Sequence, residues 1–405
     1  MTYIEWERLK ENFNGEVCIF GAGYIGKNWG YDLIKISGMT VNFYCDNNIK
    51  PGSIIRDNIK VRSVEYLYQN KSKVQVFLTV SEQYQKAICE QLYQQGISNI
   101  IVVDHILLFQ LLDSIDNSDD ETVRHRYHIL YNDSEYLEKK FENKLGYKLN
   151  LKDPKTFNEK LQWLKIYNRR QEYTQMVDKY MVKNYVAKRI GNEYVIPTLG
   201  VWDSFEQINF EKLPEKFVLK CTHDAGSIII ADGKEKLNKA EVKKKLDTAL
   251  DINYFWLGRE WPYKNVRRKI IAEKYMAGLS EMIDYKFMCF NGRVKIIFTC
   301  TERYNDGQLK VTFFDTNWNR MPFERHYPSS NKMIAKPLNF DLMIVLAEKL
   351  CKNIPFVRVD FYEINNRVYF GEITFFPGGG MEEFTPQKWD RILGEWIELP
   401  KTMSI

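Results

Sequence analysis

Short apolar runs alternate with helical patterns in the first quarter of the chain. Strand-like runs are VCIFGAG from Val17, VNFYCD at 41–46, VQVFLTV at 74–80 and NIIVVD at 99–104. Amphipathic stretches separate them, one from Tyr24 and others near 63–70 and at 82–95. This alternation is typical of parallel strands joined by helical crossovers. It predicts an N-terminal α/β domain of Rossmann-like βαβ units over residues 1–112.

A polar, acidic segment follows this domain. It reads DSIDNSDDE from Asp113 to Glu121 and lacks the periodicity of a core element. We therefore predict a connector over 113–134 and a second domain over 135–400. Helical patterns at roughly 135–145, 157–167 and 173–190 open that domain, and strand-like runs on both sides of Asn291-Gly292 predict a hairpin. The predicted fold class is α/β, with a parallel N-terminal domain followed by an α+β domain with antiparallel sheets.

Composition narrows the function classes. With 44% hydrophobic and 27% charged residues, the 405-residue chain is typical of a folded globular protein. A net charge of +5 over this length is too small to indicate nucleic-acid binding. Seven cysteines without a Cys-x-x-Cys pair indicate reduced thiols, hence a cytoplasmic protein. We expect no membrane span, because the most apolar stretch is interrupted by polar residues.

A glycine-rich turn follows the first strand-like run. Gly21, Gly23 and Gly26 have the spacing G-x-G-x-x-G and open a helical pattern, and Asp46 ends the next strand. Such a turn can present amide groups to the phosphate of a nucleotide or sugar nucleotide. The glycines can equally serve only to permit a tight turn, and the sequence leaves both readings open. The segment is similar to small Rossmann-like domains fused to sugar-modifying enzymes, whose ligands differ.

Two strand-like runs at 356–376 carry paired charged residues. Pairing around a three-residue turn would place Asp360 opposite Glu372 and Arg358 opposite Thr374. Carboxylates about 5 Å apart repel each other, so such a pair usually needs a cation, a shared proton or solvent between them. Two oxygen ligands without His or Cys suit Mg²⁺ or Mn²⁺ bound to phosphates. We therefore predict Asp360 and Glu372 as metal ligands, with Arg358 beside them.

A second candidate phosphate site lies upstream. Lys220 ends the run FVLK, a small loop THDAGS covers 222–227, and another strand-like run starts at Ile228. A strand, a small loop and a strand can form a lid whose amides and lysine cover phosphates. Taken alone, this pattern is more typical of an ordinary hairpin loop.

The order of these elements resembles that of the ATP-grasp superfamily, and the amino-acid sequence of the segments resembles its TupA-like branch from polysaccharide loci. The resemblance extends over about residues 125–400. The matching segments are DPKTFNEKLQWLK (153–165), DKYMVKNYVAKRIG (178–191), LPEKFVLKCTHDAGSIII (213–230), GREWPYKNVRRKIIAEKYM (258–276), DYKFMCFNGRVK (284–295) and RVDFY with GEITFFPGGG (358–380).

The resemblance implies ATP and Mg²⁺ or Mn²⁺ as cofactors and assigns roles to individual residues. It implies that a lid loop at 223–228 covers ATP and that Asp360 and Glu372 bind the metal. An asparagine is common in the superfamily where this chain has Thr374. The other implied ATP contacts are Lys179 and Lys220 for phosphates, His223, Gly226 and Ser227 in the lid, Glu273, Tyr275 and Met276 at adenine, Glu281 at ribose and Lys286 at the transferring phosphoryl group.

The implied activity is an ADP-forming carboxylate–amine ligase that acts through an acylphosphate. Lys220 and Lys286 would neutralise the transferring group, and Arg358 would bind the acceptor carboxylate or the acylphosphate. The resemblance implies a uronic-acid carboxylate on a glycan or sugar nucleotide, joined to an amino acid or small amine in bacterial surface or capsular polysaccharide synthesis. Three alternatives remain. The chain could be a glycosyltransferase, although no Asp-x-Asp motif occurs. It could also be a non-catalytic nucleotide-binding module or an enzyme that transfers the phosphoryl group to a hydroxyl.

Overall fold

The structure, a computed structural model, describes residues 1–11, 15–128, 132–276, 283–302 and 309–401. The chain divides into two compact units, Met1–Tyr136 and Leu137–Ile405. No helix in the described part of the chain is long and apolar enough to cross a membrane.

The first unit is built on a parallel sheet. Its strands β1 (Glu16–Phe20), β2 (Val41–Cys45), β5 (Val74–Leu78) and β6 (Ile100–Val102) lie in the order β2-β1-β5-β6. A small antiparallel pair is formed by β3 (Ile54–Arg56) and β4 (Ile59–Lys60). The helices are Tyr3–Glu11, Tyr31–Ile36, Val64–Gln69, Glu82–Gln94, His105–Asp116 and Glu121–Arg126, with a π-helical turn at Gly26–Gly30. The predicted parallel α/β sheet is confirmed.

The predicted connector differs from the structure. Its first residues form the last turn of the helix His105–Asp116, where Ile115 is fully buried. Asp120 then accepts hydrogen bonds from two backbone amides of the helix Glu121–Arg126, in which Val123 is buried. Asp119 and Asp120 lie in the short connection between these two helices, and Glu121 begins the second. The first compact unit therefore extends beyond the predicted limit of 112, to Tyr136.

The second unit contains two antiparallel sheets. The smaller sheet has the order β7-β10-β8-β9, formed by β7 (Thr198–Trp202), β8 (Lys216–Cys221), β9 (Ile229–Asp232) and β10 (Ile270–Lys274). The larger sheet has the order β13-β12-β11-β15-β16. Its strands are β11 (Asp284–Phe290), β12 (Arg293–Thr301), β13 (Lys310–Asp315), β15 (Phe356–Ile364) and β16 (Arg367–Thr374). A further pair joins β14 (Glu324–Arg325) to β17 (Phe384–Thr385). These sheets confirm the predicted fold class.

Helices bury their apolar faces against the larger sheet. Met343 and Leu346 of one helix and Phe157 and Leu161 of another share one core with Phe287 of β11. The second of these helices begins at a capping box, in which Thr156 and Glu159 satisfy each other's backbone amides. The helices described here are Asp133–Leu145, Phe157–Tyr167, Gln171–Val177, Met181–Ile190, Lys239–Leu250, Phe255–Gly258, Phe340–Leu350 and Lys388–Glu395.

Two hairpins in the larger sheet carry the site. The predicted Asn291-Gly292 turn is confirmed, because Phe290 pairs with Arg293 and both turn residues have positive φ. The β15–β16 turn has two residues, Asn365-Asn366, rather than the predicted three. The register of Arg358 with Thr374 is nevertheless as predicted, because a bulge between Val359 and Phe361 takes up the difference.

Candidate functional site

Two adjoining clefts in the second unit bring the candidate residues together. The apolar cleft, of about 330 Å³, is lined by Val218, Ile230, Met276 and Phe370 and by lysines. The charged cleft, of about 360 Å³, is lined by acidic and basic side chains. Both are lined by Lys179, Ile228, Asp284, Cys300 and Tyr362.

A buried carboxylate holds two lysines in the apolar cleft. Glu273, on β10, lies with Oε2 at 2.6 Å from Nζ of Lys220 and Oε1 at 2.6 Å from Nζ of Lys183. Burial acts to raise the pKa of Glu273, but Lys220 and Lys183 outweigh it and lower the pKa to about 2. Glu273 was predicted to lie at adenine, but each of its carboxylate oxygens is paired with a lysine. Lys183, four residues after Lys179, was not predicted from the sequence.

The lowered pKa of Glu273 predicts a specific acid sensitivity. A carboxyl whose pKa falls from 4.5 to about 2 on folding contributes about 3 kcal/mol to stability when the pH is above 4.5, the pKa in the unfolded chain. That contribution is lost as the pH falls towards about 2. Denaturant unfolding should therefore show Glu273→Gln several kcal/mol less stable than wild type near neutral pH, with the gap narrowing in acid.

The matched control for this prediction lies on the same sheet. Asp232 pairs with Lys216 at 2.5 Å, but more than half of both side chains is exposed. Asp232→Asn should change stability little, since exposed ion pairs contribute little. A gap between Glu273→Gln and wild type that is constant over the acid range would contradict the role given to Glu273.

Lys179 reaches the clefts because the helix predicted over 173–190 is interrupted. One helix ends at Val177 and the next begins at Met181. Between them, Asp178 accepts hydrogen bonds from the amides of Tyr180 and Met181, and the amide of Lys179 donates to the carbonyl of Thr222 at 2.9 Å. The ammonium group of Lys179 contacts the carbonyl of Asp224, and burial lowers the pKa of Lys179.

The loop predicted as a lid is bonded to itself. Ser227 donates to Asp224 Oδ1 at 2.7 Å and accepts from the amide of Cys221 at 2.8 Å. Gly226 lines the charged cleft with φ 123°, a conformation that favours glycine. His223 is buried, lines neither cleft and has Nε2 3.1 and 3.0 Å from two backbone carbonyl oxygens. The side chains of His223 and Ser227 are thus structural in this conformation, in contrast to their predicted contact with ATP.

One face of β15–β16 places an arginine between two carboxylates. Nε and Nη2 of Arg358 each donate to a different oxygen of Asp360 at 2.7 Å, and Nη2 also contacts Glu372. Lys286 pairs with Asp360 across β11–β15 and contacts its carboxylate. Thr374 donates to Glu372 Oε1 at 3.2 Å. The opposite face of the hairpin is buried in the core, as the alternation predicted.

The two carboxylates differ in access and in electrostatics. The side chain of Asp360 is 1% exposed and lies behind Arg358 and Lys286, whereas that of Glu372 is 44% exposed and lines the charged cleft. Burial raises the pKa of Asp360, opposed by Arg358 and Lys286. For Glu372, Arg358, Lys286 and Lys179 overcome burial and lower the pKa to about 2. Of Asp360 and Glu372, only Glu372 lines the charged cleft, and it does so as an ionised carboxylate.

The chemistry of these groups fits a cation shared with phosphates. Among the described residues, no group of three or more His, Cys, Asp or Glu side chains forms a metal cage. Mg²⁺ is commonly held by one or two carboxylates plus substrate phosphates, and such a cage is not required. Within the described chain, Glu372 Oε2 makes no hydrogen bond, so it is an available oxygen ligand. Both oxygens of buried Asp360 are bonded to Arg358 or Lys286, so Asp360 could become the second ligand only if Arg358 moved away.

Other predicted residues are placed as follows. Met276 lines the apolar cleft and Lys286 the charged one, whereas Tyr275 lines neither and lies near Lys216. Glu281 lies outside the described residues. Three charged groups of the charged cleft were missed, namely Asp284, Arg325 and Glu382. Asp284 starts the strand that carries Lys286. Its position two residues before Lys286 is the sequence feature that could have identified it as a site residue.

The glycine turn of the first unit is tightly packed. A Cβ at Gly26 would lie 2.0 Å from the carbonyl oxygen of Gly21, which has φ 105°. Asp46 accepts from the amides of Ala22 and Asn48, each at 2.8 Å. A Cβ at Gly23 meets nothing within 4 Å. These contacts account for Gly21 and Gly26 as turn residues, and nucleotide binding at this turn remains a prediction.

Comparison with known proteins identifies the family. A model described as TupA-like ATPgrasp matches residues 159–398, more than half of the chain. The chain belongs to this family. The match confirms the predicted family and the predicted class of enzyme, an ADP-forming ATP-grasp ligase. A comparison with curated proteins found no match.

Solved structures that match are distant. D-Alanine–D-alanine ligase from Bacillus anthracis, in complex with ATP, is 11% identical, with 89% of this chain and 86% of that chain covered and a TM-score of 0.30. The ligase of the same name from Helicobacter pylori is 13% identical over 96% and 100%, with a TM-score of 0.31. The ATP-grasp ligase PsnB is 8% identical over 90% of each chain, with a TM-score of 0.31. These scores are too low to carry a functional argument.

Proposed function

We propose that the protein joins a carboxylate to an amine through an acylphosphate made from ATP. The observation that carries this proposal is the Arg358–Asp360–Glu372–Lys286 cluster beside a lysine-lined apolar cleft. Phosphoryl transfer needs charge stabilisation more than covalent help from the protein. The cluster supplies two fixed cations, Arg358 and Lys286, and two carboxylates at such a point.

The two clefts divide the substrates between them. The apolar cleft suits adenosine, with Lys220 and Lys179 available to the phosphates. The charged cleft would then hold the γ-phosphoryl group and the acceptor carboxylate, with Arg358 and Lys286 orienting them. Mg²⁺ would be held by Glu372, and by Asp360 if Arg358 released it, and would supply neutralisation of phosphate charge.

The proposed substrates are a uronic-acid carboxylate on a glycan or sugar nucleotide and an amino acid or small amine. Their proposed setting is bacterial surface or capsular polysaccharide synthesis. The support for this assignment is the resemblance to the TupA-like branch. Lys286 and Arg358, two basic residues that line the charged cleft, are compatible with an anionic acceptor.

The deciding measurement is release of ADP, AMP and phosphate by purified protein with Mg²⁺, ATP, pooled uronic acids and their sugar nucleotides, and pooled amines. ADP should form only when both pools are present. Glu372→Gln should lower the rate at least about 100-fold, because it removes the charge of the cluster's cleft-facing carboxylate. Glu348→Gln is the control, since Glu348 pairs with Arg293 at 2.7 Å and lines neither cleft.

Other outcomes point to the alternatives. ATP binding without acceptor-dependent turnover would favour a non-catalytic nucleotide-binding module. Sugar transfer without consumption of ATP would favour a glycosyltransferase. A phosphorylated hydroxyl product would indicate a kinase reaction at the same cleft.

A further inference from the structure

Glu382 places a further carboxylate at the wall of the charged cleft, which is also lined by Glu372, Asp224 and Asp284. Its side chain is 22% exposed, and its Oε2 lies 3.1 Å from Nη2 of Arg325. In the described chain, Oε1 makes no hydrogen bond. The carboxylate is therefore anchored through one oxygen, and the other remains available.

Arg325 is a support rather than a substrate contact. Its side chain is 3% exposed, and Nη2 donates to the carbonyl of Pro377 at 2.6 Å. The guanidinium group lies 5.3 Å from the ring centre of Phe157 and 5.6 Å from that of Phe384. Because rings and a carbonyl surround it, we treat Arg325 as a positioning residue for Glu382.

The glycine-rich loop makes room for this carboxylate. Gly378 has φ 61°, and a Cβ at this position would lie 2.1 Å from Cδ of Glu382. Buried Asn158 donates to the backbone carbonyl of Glu382 at 2.9 Å. The backbone and the carboxylate of Glu382 are thus both fixed, and a side chain at 378 would displace the carboxylate.

The charges around Glu382 define what it can bind. Of the other carboxylates of the cleft, Glu372 is paired with Arg358, Asp224 lies 3.8 Å from Lys179, and Asp284 lies 3.5 Å from Lys286. A carboxylate with a free oxygen favours a cation that donates hydrogen bonds and repels an acid. We propose that Glu382 binds the protonated amino group of the second substrate. This inference rests on the proposed ligase function and assigns the amine half of the reaction.

Hydroxylamine separates amine binding from formation of the acylphosphate. It is neutral near neutral pH and, at high concentration, attacks an acylphosphate without a dedicated ammonium site. Its nitrogen bonds to the acyl carbon, phosphate leaves with the electrons of the broken C–O bond, and the nitrogen proton passes to water. Hydroxamate formed from the uronic-acid pool and ATP therefore reports on the first half of the reaction alone.

We expect Glu382→Gln to keep the wild-type rate of hydroxamate formation within about twofold. Its KM for the amine should rise about 10- to 100-fold, the effect of losing one charged hydrogen bond. Glu382→Asp keeps the charge on a shorter arm and should give a smaller rise. Glu348→Gln should alter neither readout, although its carboxylate is 24% exposed and paired with an arginine like that of Glu382.

The outcomes separate the inference from the proposed function. Equal loss of both activities in Glu382→Gln, or no change in either, would overturn amine binding by Glu382. Wild-type hydroxamate without ligation of any pooled amine would also overturn it. Absence of hydroxamate from every pooled acid with wild-type protein would instead overturn the proposed ligase function, and the inference would fall with it.

Discussion

Asp360→Asn should lower kcat for ATP-dependent ligation by about 1000-fold or more and leave ATP affinity nearly unchanged. Asp360 accepts two hydrogen bonds from Arg358 and contacts Lys286, so one carboxylate orients both cations. Loss of a single preorganised donor typically costs about 100- to 1000-fold in kcat. Because Asp360 lies outside the apolar cleft, binding of the adenosine part should persist.

The variant should still fold. Removing one partner of a buried ion pair costs roughly 3–5 kcal/mol when the other charge is left alone. Here Arg358 keeps its contact with Glu372, and Lys286 keeps Asp284 at 3.5 Å. The amide of asparagine has the size of the carboxylate and retains one acceptor oxygen. We therefore expect a smaller loss of stability, measurable by denaturant unfolding.

A buried carboxylate outside the clefts gives the control. Glu159 caps the helix Phe157–Tyr167 by accepting from the amides of Lys155 and Thr156 at 2.8 and 2.9 Å. Glu159→Gln should lower stability without changing kcat. A folded Asp360→Asn variant with full activity would remove the cluster from the mechanism.

The charged face of β15–β16 could be predicted because its information is local. Alternation along each strand places Arg358 and Asp360 on one face and Val357 and Val359 on the other. The pairing of Arg358 with Thr374 was predicted as well. The two-residue turn and the compensating bulge were not, because an Asn-Asn turn fits several loop lengths and a bulge leaves no sequence signature.

Lys179 shows a different limit of prediction from the sequence. Helical periodicity runs on from 173 to 190, so the break at 178–180 was not visible. The break depends on a bond between Lys179 and Thr222, which are distant in sequence. Lys183 was missed for the same reason, since its importance comes from Glu273 on another element.

Arg325 and Glu382 could not be predicted from the sequence. Each lies in a segment without periodicity, and the arginine meets Pro377 across 52 residues. The pairing of β14 with β17 brings these segments together. Sequence patterns identify residues that share an element, whereas these two act through contacts between elements.

Lys220 and Lys183 should both be required for tight ATP binding, but for different reasons. Lys220→Met should raise the Kd of ATP about 10- to 100-fold through loss of a phosphate contact. Lys183→Met should raise it as well, because Glu273 would keep one cation instead of two and repel the phosphates. Binding measured by calorimetry in wild-type and Glu273→Gln backgrounds separates the two effects.

In the Glu273→Gln background an uncharged amide replaces the carboxylate, so Lys183→Met should have little further effect on the Kd of ATP. Lys220→Met should keep most of its effect there, because a contact with phosphate does not depend on Glu273. Such a double-mutant cycle isolates the coupling of each lysine to the carboxylate. Equal coupling of both lysines to Glu273 would mean that Lys220, too, serves mainly to neutralise Glu273, and that another cation of the clefts binds the phosphates.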